Sequence, residues 1–129
     1  MKYELLKTFT YDKKYCNYPI TIAILYAYDD FPDIGNFDFG SEIENKQYLD
    51  DFRSGKYVSC RLKVIAYCRD LSVSIEGVDY LGQCHVTSTT MEDDLISLAN
   101  DHDMPEQAFD ELKKTLDPIR EKMINSGRF

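Results

Sequence analysis

The 129-residue sequence has no tryptophan, only two histidines and no apolar run long enough to cross a membrane as a helix. Its first residues, Met1 to Glu4, lack the apolar core of a signal peptide, which predicts a cytoplasmic protein. Basic residues are also few, with 15 Lys and Arg against 23 Asp and Glu and a net charge of −8. Because binding to DNA or RNA depends on Lys and Arg that neutralise phosphates, this balance predicts no direct nucleic-acid partner. The lack of a long apolar run predicts no membrane partner.

The four cysteines, Cys16, Cys60, Cys68 and Cys84, form no C-x-x-C pair and have no zinc-ligand spacing. Cys60 alternates with aliphatic residues, and Cys84 alternates with Val86 on a later strand. The pattern predicts reduced thiols that are buried as small hydrophobic side chains. No metal or other cofactor is expected from these residues.

Motifs for catalysis are missing as well. The chain contains neither G-x-x-x-x-G-K-[ST] nor G-x-G-x-x-G, and no acidic segment has the glycine of a calcium-binding EF-hand loop. His85 is predicted to be an exposed strand residue, and His102 a surface or capping residue. We therefore expect no catalytic residues and no enzyme, with a metal-dependent or carboxylate-based enzyme as the alternative.

The hydrophobic patterns predict one α+β domain over residues 1–129, with an antiparallel sheet of about five strands. Its last three strands form a meander in the C-terminal half, with a turn bracketed by Gly77 and Gly82, and the C-terminal helices pack on one face of the sheet. The predicted strands are 3–11, 19–28, 57–68, 71–76 and 83–88, and the predicted helices are about 43–53, 91–101 and 105–125.

Helix starts are indicated by two capping boxes, Ser41 with Glu44 and Thr90 with Asp93. Pro118 lies inside the last helical pattern and predicts a kink or a restart there, with Asp117 as a cap. Ile43, Tyr48 and Phe52 are expected to form the inward face of the first helix.

The acidic residues are segregated along the chain. Residues 29–51 contain eight acids and one base, residues 92–111 contain eight acids and no base, and the remaining 86 residues carry seven acids and fourteen bases. Acids in the first turns of helices are favourable on their own, which accounts for part of the second block. The first block also carries three phenylalanines, which either pack the loop onto the core or act as anchors for a basic partner. The candidate partner-binding residues are Asp29, Asp30, Phe31, Asp33, Phe37, Asp38, Phe39, Glu42, Asp101 and Asp103.

The segment from Ile75 to Cys84, I-E-G-V-D-Y-L-G-Q-C, resembles the E-G-x-D-[YS]-L-G-x-C hairpin of small proteins carried by phages, plasmids and conjugative elements. As in that group, a basic-aliphatic strand precedes the hairpin and acidic helices follow it. The resemblance covers the second half of the chain. It implies an origin in a mobile element and supplies no catalytic residues.

Small size, acidic blocks and this resemblance together predict a non-catalytic interaction protein. We expect it to inhibit a host nucleic-acid-handling defence complex, of the anti-CRISPR or anti-restriction type, by presenting carboxylates where phosphates would lie. Its partner would be a basic, nucleic-acid-binding host protein. A structural homodimer formed through the outward face of the 57–68 strand (Tyr57, Ile65, Tyr67) remains the other alternative.

Overall fold

The computed structural model describes residues 2–29, 40–70 and 75–125, with side chains described as far as residue 122. This part of the chain is an α+β fold with one open, antiparallel four-stranded sheet in the order β1-β2-β3-β4 and three helices, which confirms the predicted class with close to the predicted number of strands. The elements are β1 (Glu4–Tyr15), β2 (Tyr18–Tyr28), α1 (Glu42–Arg53), β3 (Tyr57–Tyr67), β4 (Glu76–Thr87), α2 (Met91–Asp101) and α3 (Met104–Asn125). No helix among these residues is long and apolar enough to span a membrane.

The fourth strand differs from the prediction of two strands joined by a glycine-bracketed turn. β4 continues from Glu76 through both glycines to Thr87, and residues 71–74 lie outside the described residues. Gly82 and Gln83 instead form a bulge, because the pairing with β3 shifts register between Cys60 and Leu62 and Gln83 has a φ of 53°. The prediction that Gly77 and Gly82 bracket a turn is therefore wrong.

One face of the sheet forms the core. Ile20, Ile22 and Ile24 of β2 and Leu62 and Val64 of β3 are fully buried on it. Burying each such side chain contributes about 1.5–3 kcal/mol. The helices α2 and α3 cover this face, α3 lying mainly over β3 and β4.

Gly77 explains how closely α3 approaches β4. A Cβ at this position would lie 2.0 Å from the carbonyl oxygen of Ala108 and 2.3 Å from the amide nitrogen of Leu112. The glycine therefore lets the helix backbone rest directly on the strand.

The opposite face of the sheet receives α1. His85 and Val86 are adjacent on β4, so their side chains point to opposite faces. Val86 belongs to the core, whereas His85 contacts Tyr48 and Phe52 of α1. Helices thus lie on both faces, and the expectation that the C-terminal helices pack on one face holds for α2 and α3.

The two predicted capping boxes behave differently. The Ser41 hydroxyl accepts a hydrogen bond from the Glu44 amide at 3.1 Å, which confirms the start of α1. Thr90 is the N-cap residue of α2, but its side chain makes no capping bond and donates instead to Asp94 at 2.6 Å.

The proline in the last helix causes no restart, since α3 is continuous from Met104 to Asn125 with Pro118 inside it. Asp117 is not a cap. Its carboxylate accepts a hydrogen bond from the Tyr15 hydroxyl at 2.7 Å, which ties α3 to the end of β1. The tyrosine is buried, and burial together with this bond raises its pKa.

β3 lies between β2 and β4, so its backbone is paired on both sides. It cannot form an edge-to-edge dimer. Tyr57 on its outward face is already covered by Tyr48 and Phe52 of α1, which leaves Ile65 and Tyr67 for the predicted face-to-face dimer.

Candidate functional site

The predicted partner-binding residues divide into two groups. Asp29, Glu42, Asp101 and Asp103 belong to the described part of the chain. The others lie outside the described residues: Asp30, Phe31, Asp33, Phe37, Asp38 and Phe39.

Asp29 forms an internal bridge at the end of β2. Its carboxylate accepts a hydrogen bond from the Ser59 hydroxyl at 2.6 Å and forms an ion pair with Arg61 Nε at 3.0 Å. Its side chain is only 6% exposed, and its amide donates to the Ser59 carbonyl at 3.0 Å. This carboxylate is already bonded within the protein, so it is not available to bind a partner.

A second feature is an aromatic cluster that we define as Tyr48, Phe52, Tyr57 and His85. The ring centroids of Phe52 and His85 are 4.8 Å apart, and the Tyr48 hydroxyl is 2.8 Å from His85 Nδ1. Burial raises the pKa of Tyr48, so this hydroxyl stays protonated at neutral pH. The prediction that His85 is an exposed strand residue is wrong, because α1 covers it.

The inward face of α1 was partly predicted by sequence. Tyr48 and Phe52 are spaced by four residues and both point towards the sheet, as expected. Ile43 does not join them, since it is 84% exposed in the first turn of the helix. Glu42, the predicted partner-binding residue of this helix, is also exposed.

Next to the aromatic cluster, a shallow cavity of about 320 Å³ runs around the open edge of β4 to α2. We call it the acidic groove. Asp94 and Asp101 lie on its α2 side, seven residues and therefore about 10 Å apart along the helix. None of the described residues that line it is Lys or Arg: Tyr57, His85, Val86, Thr87, Asp94, Ser97, Leu98 and Asp101.

The acids on α3 are largely neutralised by neighbouring lysines. Glu111 pairs with Lys114 at 3.0 Å, and Asp110 lies 3.7 Å from Lys113. The acids on α2 and at its end are different. They are exposed and make no ion pair within the part of the chain that the structure describes: Glu92, Asp93, Asp101 and Asp103.

Glu106, like Asp117, joins α3 to β1. Lys13 pairs with it at 2.7 Å, and the Tyr11 hydroxyl donates to the same carboxylate. These two bonds, with that from Lys13 the larger influence, hold the pKa of Glu106 below its ordinary value. Burial and the bond to Glu106 raise the pKa of Tyr11. This acid therefore has a structural partner already.

Three of the four cysteines are buried, as predicted, and Cys16 is half-buried in the turn after β1. Burial raises the pKa of Cys60 to about 12 and that of Cys84 to about 11. A thiol with such a pKa is almost fully protonated at neutral pH and is a poor nucleophile.

No group of three or more His, Cys, Asp or Glu side chains that could hold a metal ion occurs within residues 2–29, 40–70 and 75–125. The arrangement that does occur, carboxylates beside aromatic rings, is suited to holding a cationic side chain of another molecule.

Comparison of the chain with protein-family models, curated proteins and solved structures finds no match. The function therefore has to be inferred from the residues of this chain.

Proposed function

We propose that this protein acts by binding a basic region of a partner protein, and that the acidic groove is the docking surface. The observation that carries the proposal is the pair Asp94 and Asp101, which lies beside the ring of Tyr57 with no Lys or Arg among the described lining residues. Lys56 lies next to the groove, with its Nζ 5.6 Å from the Tyr57 ring centroid and 3.7 Å from Asp51. Among the described residues it forms no ion pair with Asp94 or Asp101, so these two carboxylates remain available to a cation of the partner.

The groove fits an arginine or lysine side chain in two respects. A guanidinium or ammonium group that reaches either carboxylate makes a charge-assisted hydrogen bond, which contributes about 1.5–3 kcal/mol. The second is the Tyr57 ring, which already attracts a cation, since Lys56 Nζ lies 5.6 Å from its centroid. A cation of the partner would have to replace Lys56 there to gain the cation–π contact of about 0.5–2 kcal/mol. The net charge of −8 would steer a basic partner towards the protein from a distance.

The partner class that we propose is a nucleic-acid-handling protein of the host. Such proteins present Lys and Arg in rows to bind phosphates, and the exposed acids Glu92, Asp93 and Asp103 extend the negative charge beyond the groove. The resemblance of residues 75–84 to mobile-element proteins supports inhibition of a defence complex, of the anti-CRISPR or anti-restriction type. In this proposal the acids compete with nucleic acid for the same surface.

The first experiment titrates an arginine-rich peptide against the wild-type protein and a variant that carries Asp94→Asn and Asp101→Asn. The matched control carries Asp110→Asn and Glu111→Gln, which remove the same formal charge from acids that already face lysines. We expect the groove variant to weaken binding by about tenfold or more, and the control to weaken it far less. Equal weakening by the two variants would refute the groove and leave only a general effect of charge.

The second experiment identifies the partner. The same three proteins, each tagged, are used for affinity capture from a candidate host lysate at low and moderate salt, followed by mass spectrometry. We expect wild-type and control to capture a nucleic-acid-handling complex that competing DNA or RNA releases. The proposed mode of inhibition would be contradicted if the groove variant still captured the complex. It would also be contradicted if competing nucleic acid did not release the complex.

A further inference from the structure

The sheet face that α2 and α3 leave uncovered carries positive charge and aromatic rings. Across its middle, Leu25 of β2, Lys63 of β3 and Tyr80 of β4 are aligned by the strand register. Arg61 precedes Lys63 by two residues on β3 and therefore lies on the same face. Tyr80 is 61% exposed and Arg61 is 55% exposed, so this row is open to ligands.

At this place the structure has a pocket of about 310 Å³, which we call the tyrosine–lysine pocket. The Nζ atom of Lys63 lies 5.3 Å from the ring centroid of Tyr3 and 5.7 Å from that of Tyr80. Gly82 keeps one side open, since nothing lies within 4 Å of the place where its Cβ would be. The lining residues are Tyr3, Arg61, Leu62, Tyr80, Leu81 and Gly82.

Two cations lie at the pocket: Arg61 lines it, and Lys63 borders it through the rings of Tyr3 and Tyr80. Both are only partly neutralised. Lys63 pairs with no carboxylate in residues 2–29, 40–70 and 75–125. Arg61 is held through its Nε by Asp29 at 3.0 Å, which fixes the guanidinium in place. Its two terminal nitrogens make no hydrogen bond within the described residues, so they can donate to an anion.

We propose that the tyrosine–lysine pocket binds a nucleotide. The base stacks on the exposed ring of Tyr80, and the phosphate accepts hydrogen bonds from Lys63 and Arg61. Stacking on an aromatic ring contributes about 1–3 kcal/mol per base and tolerates any base, because every base has a π-face. The pocket volume of about 310 Å³ is at the lower end of the range for small-molecule sites.

The acidic net charge does not exclude this ligand. Charges separated by more than about 8–10 Å of water are largely screened at physiological salt, so a phosphate responds mainly to the groups beside it. Among the described residues, Lys63 and Arg61 lie beside the pocket, and the carboxylate of Asp29 is already bonded to Arg61 and Ser59. The expectation of no direct nucleic-acid partner rests on a charge averaged over the whole chain, whereas this face is locally basic.

The experiment follows backbone amide shifts of the full-length protein by NMR during titration with adenosine monophosphate, adenosine, inorganic phosphate and a single-stranded oligoadenylate. We expect shifts around residues 61–63 and 80–82 with the mononucleotide, and much weaker binding of adenosine or phosphate alone. If the oligonucleotide binds more tightly than the mononucleotide, the natural ligand is a single-stranded nucleic acid. If both bind equally per nucleotide, the natural ligand is a free nucleotide.

The variants Tyr80→Ala and Lys63→Met should each weaken nucleotide binding by about tenfold. Tyr28→Ala is the matched control, because Tyr28 is also an exposed tyrosine, 52% exposed, but does not line this pocket. Unchanged far-UV circular dichroism shows that each variant is folded. The proposal is overturned by an absence of shifts at millimolar nucleotide, by phosphate binding as well as the nucleotide, or by equal affinities of Tyr80→Ala, Lys63→Met and wild type.

Discussion

Replacing Gly77 by alanine should destabilise the protein strongly, because this position is where the backbones of β4 and α3 meet. The added Cβ would lie 2.0 Å from the Ala108 carbonyl oxygen, 2.3 Å from the Leu112 amide nitrogen and 2.8 Å from the Leu112 Cβ. All three atoms belong to the backbone of a helix or are attached directly to it. No side-chain rotation can remove the overlap, so the whole helix has to move away from the strand.

The size of the effect follows from that movement. Restoring ordinary contact distances requires α3 to shift by about 1 Å or more, which loosens the packing of Ala108, Phe109 and Leu112 in the core. Overpacking of this kind destabilises by about 1–3 kcal/mol, and we expect the upper end of that range because the obstacle is backbone. For a chain of this size, 3 kcal/mol corresponds to a fall in Tm of about 12 °C.

Gly82→Ala is the matched control on the same strand. A Cβ at Gly82 meets nothing within 4 Å, so the same chemical change should leave the free energy of unfolding within about 0.5 kcal/mol of wild type. Both variants are compared by urea unfolding, followed by far-UV circular dichroism and by the fluorescence of the ten tyrosines, with no tryptophan to interfere. Equal stability of Gly77→Ala and Gly82→Ala would refute the close approach of α3 to β4.

Two further predictions concern titratable groups. In the native protein, a thiol reagent at mildly alkaline pH should modify Cys16. Cys60 and Cys84 should react only after unfolding, because burial raises the pKa values of their thiols. Rapid modification of the native Cys16→Ser variant would contradict this. Because the fold lowers the pKa of Glu106, its ionised form stabilises the protein above the ordinary glutamate pKa, and this contribution is lost as the pH falls through the lowered value. Glu106→Gln should therefore lower the urea midpoint at neutral pH but not in strong acid, and in a Lys13→Met background most of that neutral-pH difference should disappear.

The elements that sequence predicted well are those whose side chains alternate or repeat clearly. β2 and β3 were located within one or two residues because Ile20, Ile22 and Ile24 and then Leu62 and Val64 fall on one face at a period of two. The Ser41 cap of α1 is also predicted correctly, since a capping hydroxyl and the amide that donates to it are three residues apart.

Features set by tertiary contacts could not be predicted in this way. The two glycines of β4 look alike in the sequence, yet Gly77 serves helix packing and Gly82 belongs to a bulge. The environment of His85 depends on α1 crossing to the second face of the sheet, a placement that no periodicity within either segment encodes. Asp29 belongs to an acidic block by composition, but its bonds to Ser59 and Arg61 involve residues about thirty positions away.

The distribution of charge in three dimensions changes what the composition means for function. Counting along the chain predicts two acidic blocks, whereas the fold divides the acids of the second block into those paired with lysines on α3 and those exposed on α2. It also gathers Lys63 and Arg61 on a sheet face with Tyr80, away from α2. Screening by salt limits the electrostatic effect of each charged group to its immediate surroundings. A ligand at the acidic groove and a ligand at the tyrosine–lysine pocket would therefore respond to opposite local charges. Asp94→Asn with Asp101→Asn should therefore leave nucleotide affinity unchanged, and Lys63→Met should leave the affinity for a basic peptide unchanged.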